Sequence, residues 1–425
     1  MENKIINKFF RYTSQNIIGM IGISCYILAD TFFVSKGLGA DGLTALNIAL
    51  PMYSFVHGLG LMIGIGGGTV YSISRVRSKE TSEKVFTASL ALTLIFSAIF
   101  MFIGTFFSGH VSNLLGAEGN IFYMTKTYMQ TLLTFAPAFM LNNLFLCFIR
   151  NDGAPSLTMV AMLLGSISNI ILDYIFIFPL NMGIFGAAAA TGVSPIISLA
   201  ILSSFMIKKK NTFHLRKCKI PFKLIYNILS SGLPSFVTEL SSGIVMIVFN
   251  MIILNIAGNI GVAAYGIVAN ISLVIISIFT GLAQGIQPLI SDFYGKNNID
   301  AVNKIFRYAS ITVLAMSIVI YAVIFFECDV IVNIFNSEKN IALKQLGETG
   351  LKCYFTSILF AGMNIITSIY FTSTESPLPA HIISLLRGFI FIIPVTFLMS
   401  FLFKMAGVYF SFPLSEFLVC IIGTV

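Results

Sequence analysis

Three carboxylates stand inside long apolar stretches of this sequence, where an ionised group is expensive. They are Asp30, Asp173 and Glu239. An Asp at the centre of a membrane-spanning helix costs about 2.5 to 3.5 kcal/mol on insertion scales, so acids persist there mostly when they are paired or functional. Their placement indicates chemistry that needs a charge in an apolar environment, such as binding a cation or carrying a proton.

Asp173 has polar neighbours at helical spacing. Asn169 precedes it by four residues, so both side chains share one face of a helix. Asp30 and Thr191 lie in other apolar stretches and can close a cage of oxygen ligands around it. Oxygen ligands suit hard cations such as Na+. A proton can use the same acids, because two close carboxylates in a dry site do not both stay ionised. Hydrogen bonding between helices is the alternative role.

The stretches that position these residues are long enough to cross a membrane. Of 425 residues, 57% are hydrophobic and 10% are charged, and the mean hydropathy is +0.92, unlike a water-soluble domain. A helical span needs about 20 apolar residues. Spans 1 to 12 are predicted at 14–35, 45–73, 85–108, 122–148, 157–179, 185–207, 224–256, 262–290, 305–334, 342–371, 380–402 and 407–425. The sequence therefore predicts an all-α, polytopic membrane protein of 12 transmembrane helices.

Landmark residues recur along the chain at an offset of about 220. The pairs include Gly39 and Gly258, Gly60 and Gly281, and Pro155 and Pro377. Because each half has six spans, an even number, both halves enter from the same side and form parallel repeats. We predict an N-lobe at 1–207, a basic cytoplasmic linker at 208–223 and a C-lobe at 224–425. A substrate path beside the interface of two such lobes is typical of a transporter.

The net charge of +8 follows the sidedness rule of membrane proteins rather than forming a groove for nucleic acid. Most Lys and Arg residues precede span 1 or lie in alternate loops, including Arg75, Arg150 and the loop 208–223. The opposite loops hold few basic residues, chiefly Lys36, Lys339 and Lys344. Both termini are therefore predicted to be cytoplasmic, in the plasma membrane of a bacterium. An enzyme is not predicted, because no nucleophile and base are spaced for reaction.

Seven motifs, spread over nearly the whole chain, carry a family resemblance. They are YILADTFFVSKGLGADGLTALNIALP (26–51), GLGLMIGIGGG (58–68), IRNDGAPSLTMV (149–160), SNIILDYIFIF (168–178), GIFGAAAAT (183–191), GLPSFVTEL (232–240) and SLLRGFIFIIP (384–394). Their order, their spacing and the repeat of the two halves resemble the multidrug and toxic compound extrusion (MATE) family, nearest its bacterial DinF-like and MepA-like branch.

The resemblance implies a monomeric antiporter in the lipid bilayer. Such proteins export amphipathic, often cationic drugs or metabolites in exchange for inward H+ or Na+, by two lobes that alternate access, and they need no cofactor besides that ion. Similar proteins hold the cation with an Asp on span 1, an Asn and an Asp on span 5 and a Thr on span 6. Asp30, Asn169, Asp173 and Thr191 match these one by one. Gln15 departs from the pattern, because similar proteins carry there a proline proposed to permit a bend on protonation.

Other residues are candidates for contact with cargo. Glu239 on span 7 is an unpaired acid that can attract cationic compounds. Some methionines can line a pocket, since flexible thioethers accommodate flat cations of varied shape, although core packing is the default for such residues. The candidate methionines are Met20, Met52, Met62, Met140 and Met162.

Several features leave alternatives open. Arg387 either pairs with a carboxylate or extends toward the cytoplasmic face. His57 either relays protons or forms structural hydrogen bonds. The glycines of 58–68 are predicted to serve helix packing, and Glu375 is predicted to be solvated at a membrane boundary.

The alternative transporter is a flippase for a lipid-linked precursor. Such a protein needs cationic residues in its central cavity to hold a pyrophosphate. Apart from Arg387, the spans offer almost no basic residue, which argues against that cargo.

Overall fold

Every regular element among the described residues is helical. The computed structural model describes residues 2–336 and 340–424, so Lys339 and residue 425 of the last predicted span lie outside the described residues. The helices are α1 (Glu2–Arg77), α2 (Lys79–Leu114), α3 (Gly119–Thr134), α4 (Ala136–Asn151), α5 (Pro155–Ile177), α6 (Gly183–Ile207), α7 (Phe222–Gly295), α8 (Ile299–Phe335), α9 (Ile341–Tyr354), α10 (Ile358–Ser373), α11 (Pro377–Leu385) and α12 (Ile392–Thr424), with a 3-10 turn at Phe355–Ser357 and a π-helical turn at Leu386–Ile390.

Several helical stretches are longer than one membrane crossing. Within the described ranges, eight stretches are long and apolar enough to cross a membrane, and α3 with α4, bent by 46°, makes a ninth. Single residues with non-helical backbone angles divide three of them: Gly39 in α1, Gly258 in α7 and Lys404 in α12. The result is twelve crossing segments in two halves of six, which confirms the predicted fold class.

The breaks in α1 and α7 fall at equivalent positions of the two halves. The φ angle is 67° at Gly39 and 60° at Gly258, a left-handed conformation that glycine adopts without steric cost. No group lies within 4 Å of the place where a Cβ would stand at either residue. These glycines therefore serve the backbone turn and not close packing.

The segment between α6 and α7, residues 208–221, is irregular and docks on the N-lobe. Phe213 is 1% exposed and packs against Tyr71 and Phe148. Asp152 accepts hydrogen bonds from the backbone N–H of Thr212, at 2.6 Å, and from Arg75, at 2.9 Å. We call the end of the bundle that carries this segment the linker end, and the opposite end the far end.

The two lobes meet through α1 and α7, most closely in the half of the bundle near the linker end. A Cβ added at Gly66 would collide with the carbonyl of Ile228, and one added at Gly232 with the carbonyl of Met62. Further close approaches are those of Gly281 to Ile17, Gly285 to Thr13 and Gly295 to Ile73. Small residues therefore let the backbones of opposite lobes touch at this end.

Candidate functional site

The structure brings together the four residues of the predicted cation site. Asp30 comes from α1, Asn169 and Asp173 from α5, and Thr191 from α6. Asn169 and Asp173 are completely buried, while Asp30 and Thr191 are 8% and 6% exposed. The carboxylates of Asp30 and Asp173 are close enough to interact electrostatically. The structure thus places these residues together, and their role in binding a cation stays a prediction.

Tyr128 of α3 is a further member of this site that the sequence did not indicate. Its hydroxyl lies beside Thr191 and within electrostatic reach of both Asp30 and Asp173. It is 4% exposed. A tyrosine in an apolar span is an ordinary residue, and only the packing of α3 against α6 brings it here, so the sequence carried no signal for it.

Most polar atoms of this site have no protein partner. Both carboxylate oxygens of Asp173, one oxygen of Asp30 and both amide atoms of Asn169 are buried without a hydrogen bond in the described part of the chain. A buried ionised carboxylate without a counter-charge is strongly destabilising. A bound proton or cation would remove that cost for the pair of acids. Carboxylate, amide and hydroxyl oxygens are the ligands of a hard cation, and the residues present fit Na+ or H+.

Small residues explain why α1, α5 and α6 lie so close here. A Cβ at Gly19 would stand 2.9 Å from Met162 Sδ, and one at Gly22 would stand 2.8 Å from a methyl carbon of Leu163. The Ser194 hydroxyl of α6 donates to the Gly165 carbonyl of α5 at 2.8 Å. These contacts hold the three helices in the register that sets their polar side chains face to face.

A cavity of about 60 Å³ adjoins the site and extends from Thr191 to His57. The Tyr26 and Tyr53 hydroxyls lie 3.1 Å apart on its wall, and Asn143 Nδ2 lies 3.2 Å from His57 Nδ1. Its lining is more apolar than polar, yet these side chains give a water hydrogen-bond partners in a space of this size. A cavity with polar groups therefore leads from Thr191 of the candidate site to His57, which is hydrogen-bonded within it.

Glu239 lies on α7 at the lobe interface, apart from the other two acids. It is half-buried, and a Cβ at Gly58 would stand 3.2 Å from its Cβ. No Lys or Arg of the described residues is within ion-pair distance of its carboxylate. The side chain therefore offers an uncompensated negative charge between the lobes.

The candidate methionines fall into two groups in this conformation. Met62, Met140 and Met162 are buried in the core of the N-lobe. Met20 and Met52 are half-buried at its edge. Met20 and Met52 are thus the more exposed of the five, while Met162 lines the cavity beside Thr191.

Gly60, Gly64 and Gly68 of α1 pack against α4, and the glycines of 58–68 serve helix packing as predicted. A Cβ at Gly60 would stand 2.9 Å from Asn143, and one at Gly64 would stand 3.0 Å from Cys147 Sγ.

Glu375 is solvated as predicted, with 40% of its side chain exposed. Gln15 donates to Ser156 Oγ at 2.9 Å and so ties α1 to α5.

Arg387 pairs with a carboxylate in the C-lobe and does not extend toward the cytoplasmic face, which were the two alternatives. Its Nε donates to Glu416 Oε1 at 2.9 Å, its Nη2 lies 2.8 Å from the same oxygen, and Asn364 Nδ2 donates to Glu416 Oε2 at 2.7 Å. Glu416 is 3% exposed. The prediction that Asp30, Asp173 and Glu239 are the acids at membrane depth was incomplete, because Glu416 on predicted span 12 is a further buried acid. The π-helical turn at Leu386–Ile390 re-aims Arg387 at it.

We expect Glu416→Gln to lower the free energy of unfolding by about 3 to 5 kcal/mol, because it leaves the Arg387 charge buried without a partner. Arg387→Met combined with Glu416→Leu should recover most of that loss. Thermal unfolding of the purified protein in detergent measures both. Glu327→Gln, at an exposed position of α8, is the control, and an unchanged melting temperature in Glu416→Gln would contradict this assignment.

The prediction that Arg150 lies in the loop between spans 4 and 5 was also wrong. Arg150 belongs to α4, is 2% exposed, and donates to Asn16 Oδ1 at 2.7 Å and to Gln284 Oε1 at 2.9 Å. The predicted span ended at Phe148, whereas the helix continues to Asn151 and the C-lobe supplies a polar partner. A second basic residue besides Arg387 therefore lies inside the bundle.

Comparisons with known proteins agree with this architecture. The MatE family model matches residues 16–175 and 234–398, one stretch in each half. The multidrug export protein MepA of Staphylococcus saprophyticus is 26% identical over 419 residues, which cover 98% of this chain and 92% of the relative.

Solved structures share the fold. A crystal structure of MATE in complex with MaL6 superposes with a TM-score of 0.92 at 24% identity, over 98% of this chain and 94% of the other. An outward-facing conformation of a multidrug resistance MATE family transporter of the MOP superfamily also gives 0.92 at 24% identity, over 98% and 93%. Since the family model covers most of both halves, this chain belongs to the MatE family, the family of MATE transporters.

Proposed function

We propose that the protein is a secondary active exporter of amphipathic, often cationic compounds, driven by the inward movement of Na+ or H+. It acts as a monomer in the bilayer of a bacterial plasma membrane, with the linker end and both termini in the cytoplasm. Family membership and a relative named as a multidrug export protein support export. The observation that carries cation coupling is the pair of buried acids, Asp30 and Asp173, with carboxylate oxygens that lack protein partners.

The site can convert ion binding into a change of lobe arrangement. Na+ or a proton relieves the repulsion between Asp30 and Asp173, and Asn169, Thr191 and Tyr128 add neutral oxygens around it. Because α1 carries Asp30 and also touches the C-lobe, at Ile17 against Gly281, a shift of α1 on ion binding acts directly on the interface. A tenfold preference for one arrangement needs about 1.4 kcal/mol, within reach of one ion–carboxylate contact.

The conformation described here suits one stage of that cycle. With the linker end in the cytoplasm, the close contacts of Gly66 and Gly232 seal the cytoplasmic half of the interface. The likeness to a solved structure described as an outward-facing conformation supports this interpretation. Cargo is released to the outside from such a state, and the next cycle requires the contacts to part.

A flippase of lipid-linked precursors fits less well. A pyrophosphate would need accessible basic groups in the central cavity. Arg387 is neutralised by Glu416, and Arg150 is held by amide oxygens within the interface. Neither guanidinium is presented to an anion, so the cationic cargo remains the better match.

The proposed function is tested by dye accumulation. Expressed in an efflux-deficient bacterium, the protein should lower the steady-state level of a lipophilic cation such as ethidium. Addition of an uncoupler or removal of external Na+ should abolish the difference, because export then loses its driving gradient. Unchanged accumulation across a panel of cationic dyes and drugs, with the protein confirmed in the membrane, would refute drug export.

We expect Glu239→Gln to slow export of cationic compounds about tenfold more than export of neutral ones. The reason is that the substitution removes an uncompensated charge between the lobes while keeping the shape of the side chain. Initial export rates of a cationic and a neutral dye in the same cells measure this ratio. An equal loss for both dyes would assign Glu239 to coupling or to structure.

A further inference from the structure

Arg150 is a buried cation that the proposed ion site does not use. Its side chain is 2% exposed, and no Asp or Glu of the described residues lies within ion-pair distance of it. Its contacts are Asn16 Oδ1 at 2.7 Å, Gln284 Oε1 at 2.9 Å and Cys147 Sγ at 3.5 Å, while its Nε atom has no partner. The guanidinium is thus only partly compensated.

The acceptors come from both lobes. Asn16 belongs to α1 of the N-lobe, whereas Gln284 belongs to α7 of the C-lobe. One helical turn away, Asn151 Nδ2 donates to Gln287 Oε1 at 3.0 Å, and Gln287 Nε2 donates to Thr69 Oγ1 at 2.9 Å. Arg150 therefore sits in a polar network whose contacts with Gln284 and Gln287 join the two lobes and require them to be closed at the linker end.

Arg150 affects the stability of the closed arrangement in two opposite ways. Burying a cation without a counter-charge disfavours the closed arrangement, and amide oxygens compensate that cost only in part. The hydrogen bond from Arg150 to Gln284 favours closure, because it is lost when α7 moves away. When the lobes part, water reaches the guanidinium and its desolvation cost disappears.

We propose that Arg150 is a positioning residue for the transport cycle, which sets the balance between the closed and open linker end. Its buried charge limits the stability of the closed state, and Gln284 holds that state shut. The proposal rests on alternating access, the movement in the function proposed above. If Arg150 served packing alone, an apolar residue of similar size could replace it with little effect on the balance between the closed and open arrangements.

Distances between the lobes test the proposal directly. Lys79→Cys on α2 and Asn303→Cys on α8 are exposed positions near the linker end of each lobe. Spin labels on this pair, in a chain that keeps the buried Cys147 and has its other five native cysteines replaced by serine, report closed and open populations by pulsed electron resonance in lipid nanodiscs.

Arg150→Met should shift the population toward the short, closed distance, because the buried charge is gone. Gln284→Leu should shift it toward the long, open distance, because the guanidinium loses its acceptor in the opposite lobe. Gln284→Glu should close the interface by supplying a counter-charge, and should not do so when combined with Arg150→Met. We expect the ratio of open to closed to change about tenfold in each case. Gln345→Leu, an exposed glutamine of α9, is the matched control.

The signs of these shifts decide the outcome. A structural role alone would make Arg150→Met and Gln284→Leu open the interface alike, and that result, or no shift in either, would overturn the proposal. If Arg150→Met does not fold, the two substitutions of Gln284 still decide it, because equal shifts for Leu and Glu contradict the charge argument. The distances between the spin labels are measured without cargo. If Arg150→Met and Gln284→Leu shift the populations in opposite directions but the protein exports no dye, the proposed function is rejected and the role of Arg150 is retained.

Discussion

Asp173→Asn should abolish export that is driven by an ion gradient, lowering the initial rate at least tenfold, roughly the effect of losing 1.4 kcal/mol of coupling. The substitution keeps the shape of the side chain but removes one of the two charges that we propose hold the cation. Folding and membrane insertion should survive, because the Asp173 oxygens have no protein partner to lose. Efflux of a preloaded cationic dye from re-energised cells measures the rate.

Controls for this prediction lie in the same helices. Asp30→Asn should behave like Asp173→Asn, and the double substitution should be scarcely worse than either, because residues that act as a unit are not additive. Asp41→Asn changes an exposed acid of the same helix, α1, and should leave export unchanged. A wild-type rate in Asp173→Asn would mean that the acid only forms structural hydrogen bonds.

Gly232→Ala should stop the transport cycle with little loss of protein in the membrane. An added Cβ collides with the backbone carbonyl of Met62 in the opposite lobe, and backbone cannot move aside as the end of a flexible side chain can. The closed linker end then becomes inaccessible, while the open arrangement keeps space for the methyl group. Export should fall at least about tenfold, and the labelled distance between Lys79→Cys and Asn303→Cys should lengthen.

The matched control is another glycine of α7. Nothing lies within 4 Å of the place where a Cβ would stand at Gly266, so Gly266→Ala meets no steric barrier and should retain transport. Equal export by both variants would show that the approach of α1 to α7 at Gly232 is not required for the cycle.

The sequence predicts the fold well because membrane spans are long and apolar. All twelve crossing segments correspond to predicted windows, and the repeat of Gly39 at Gly258 falls on the two breaks in α1 and α7. The boundaries are less accurate, since an apolar stretch stops short of the polar residues that complete a helix, as Arg150 and Asn151 complete α4. Arg150 was misplaced for that reason, and its burial depends on a polar partner from the other lobe.

The sequence predicts those contacts of the candidate site that involve residues of a single helix. Asn169 and Asp173 are four residues apart, so their shared face follows from helical geometry. Tyr128 and the pairing of Arg387 with Glu416 depend on which faces of separate helices meet. Periodicity within one span does not determine those contacts, although an Arg and a Glu in neighbouring apolar spans were a signal that pointed to the pair.

Transport by purified protein in proteoliposomes tests the central claim, that the site at Asp30 and Asp173 couples a cation to export. A Na+ gradient or a pH gradient is imposed separately, and uptake of a lipophilic cation against its own gradient is followed. We predict that at least one gradient drives uptake by the wild-type protein and that neither drives uptake by Asp173→Asn. Uptake that depends on neither gradient, or that is equal in wild type and Asp173→Asn, would contradict the account.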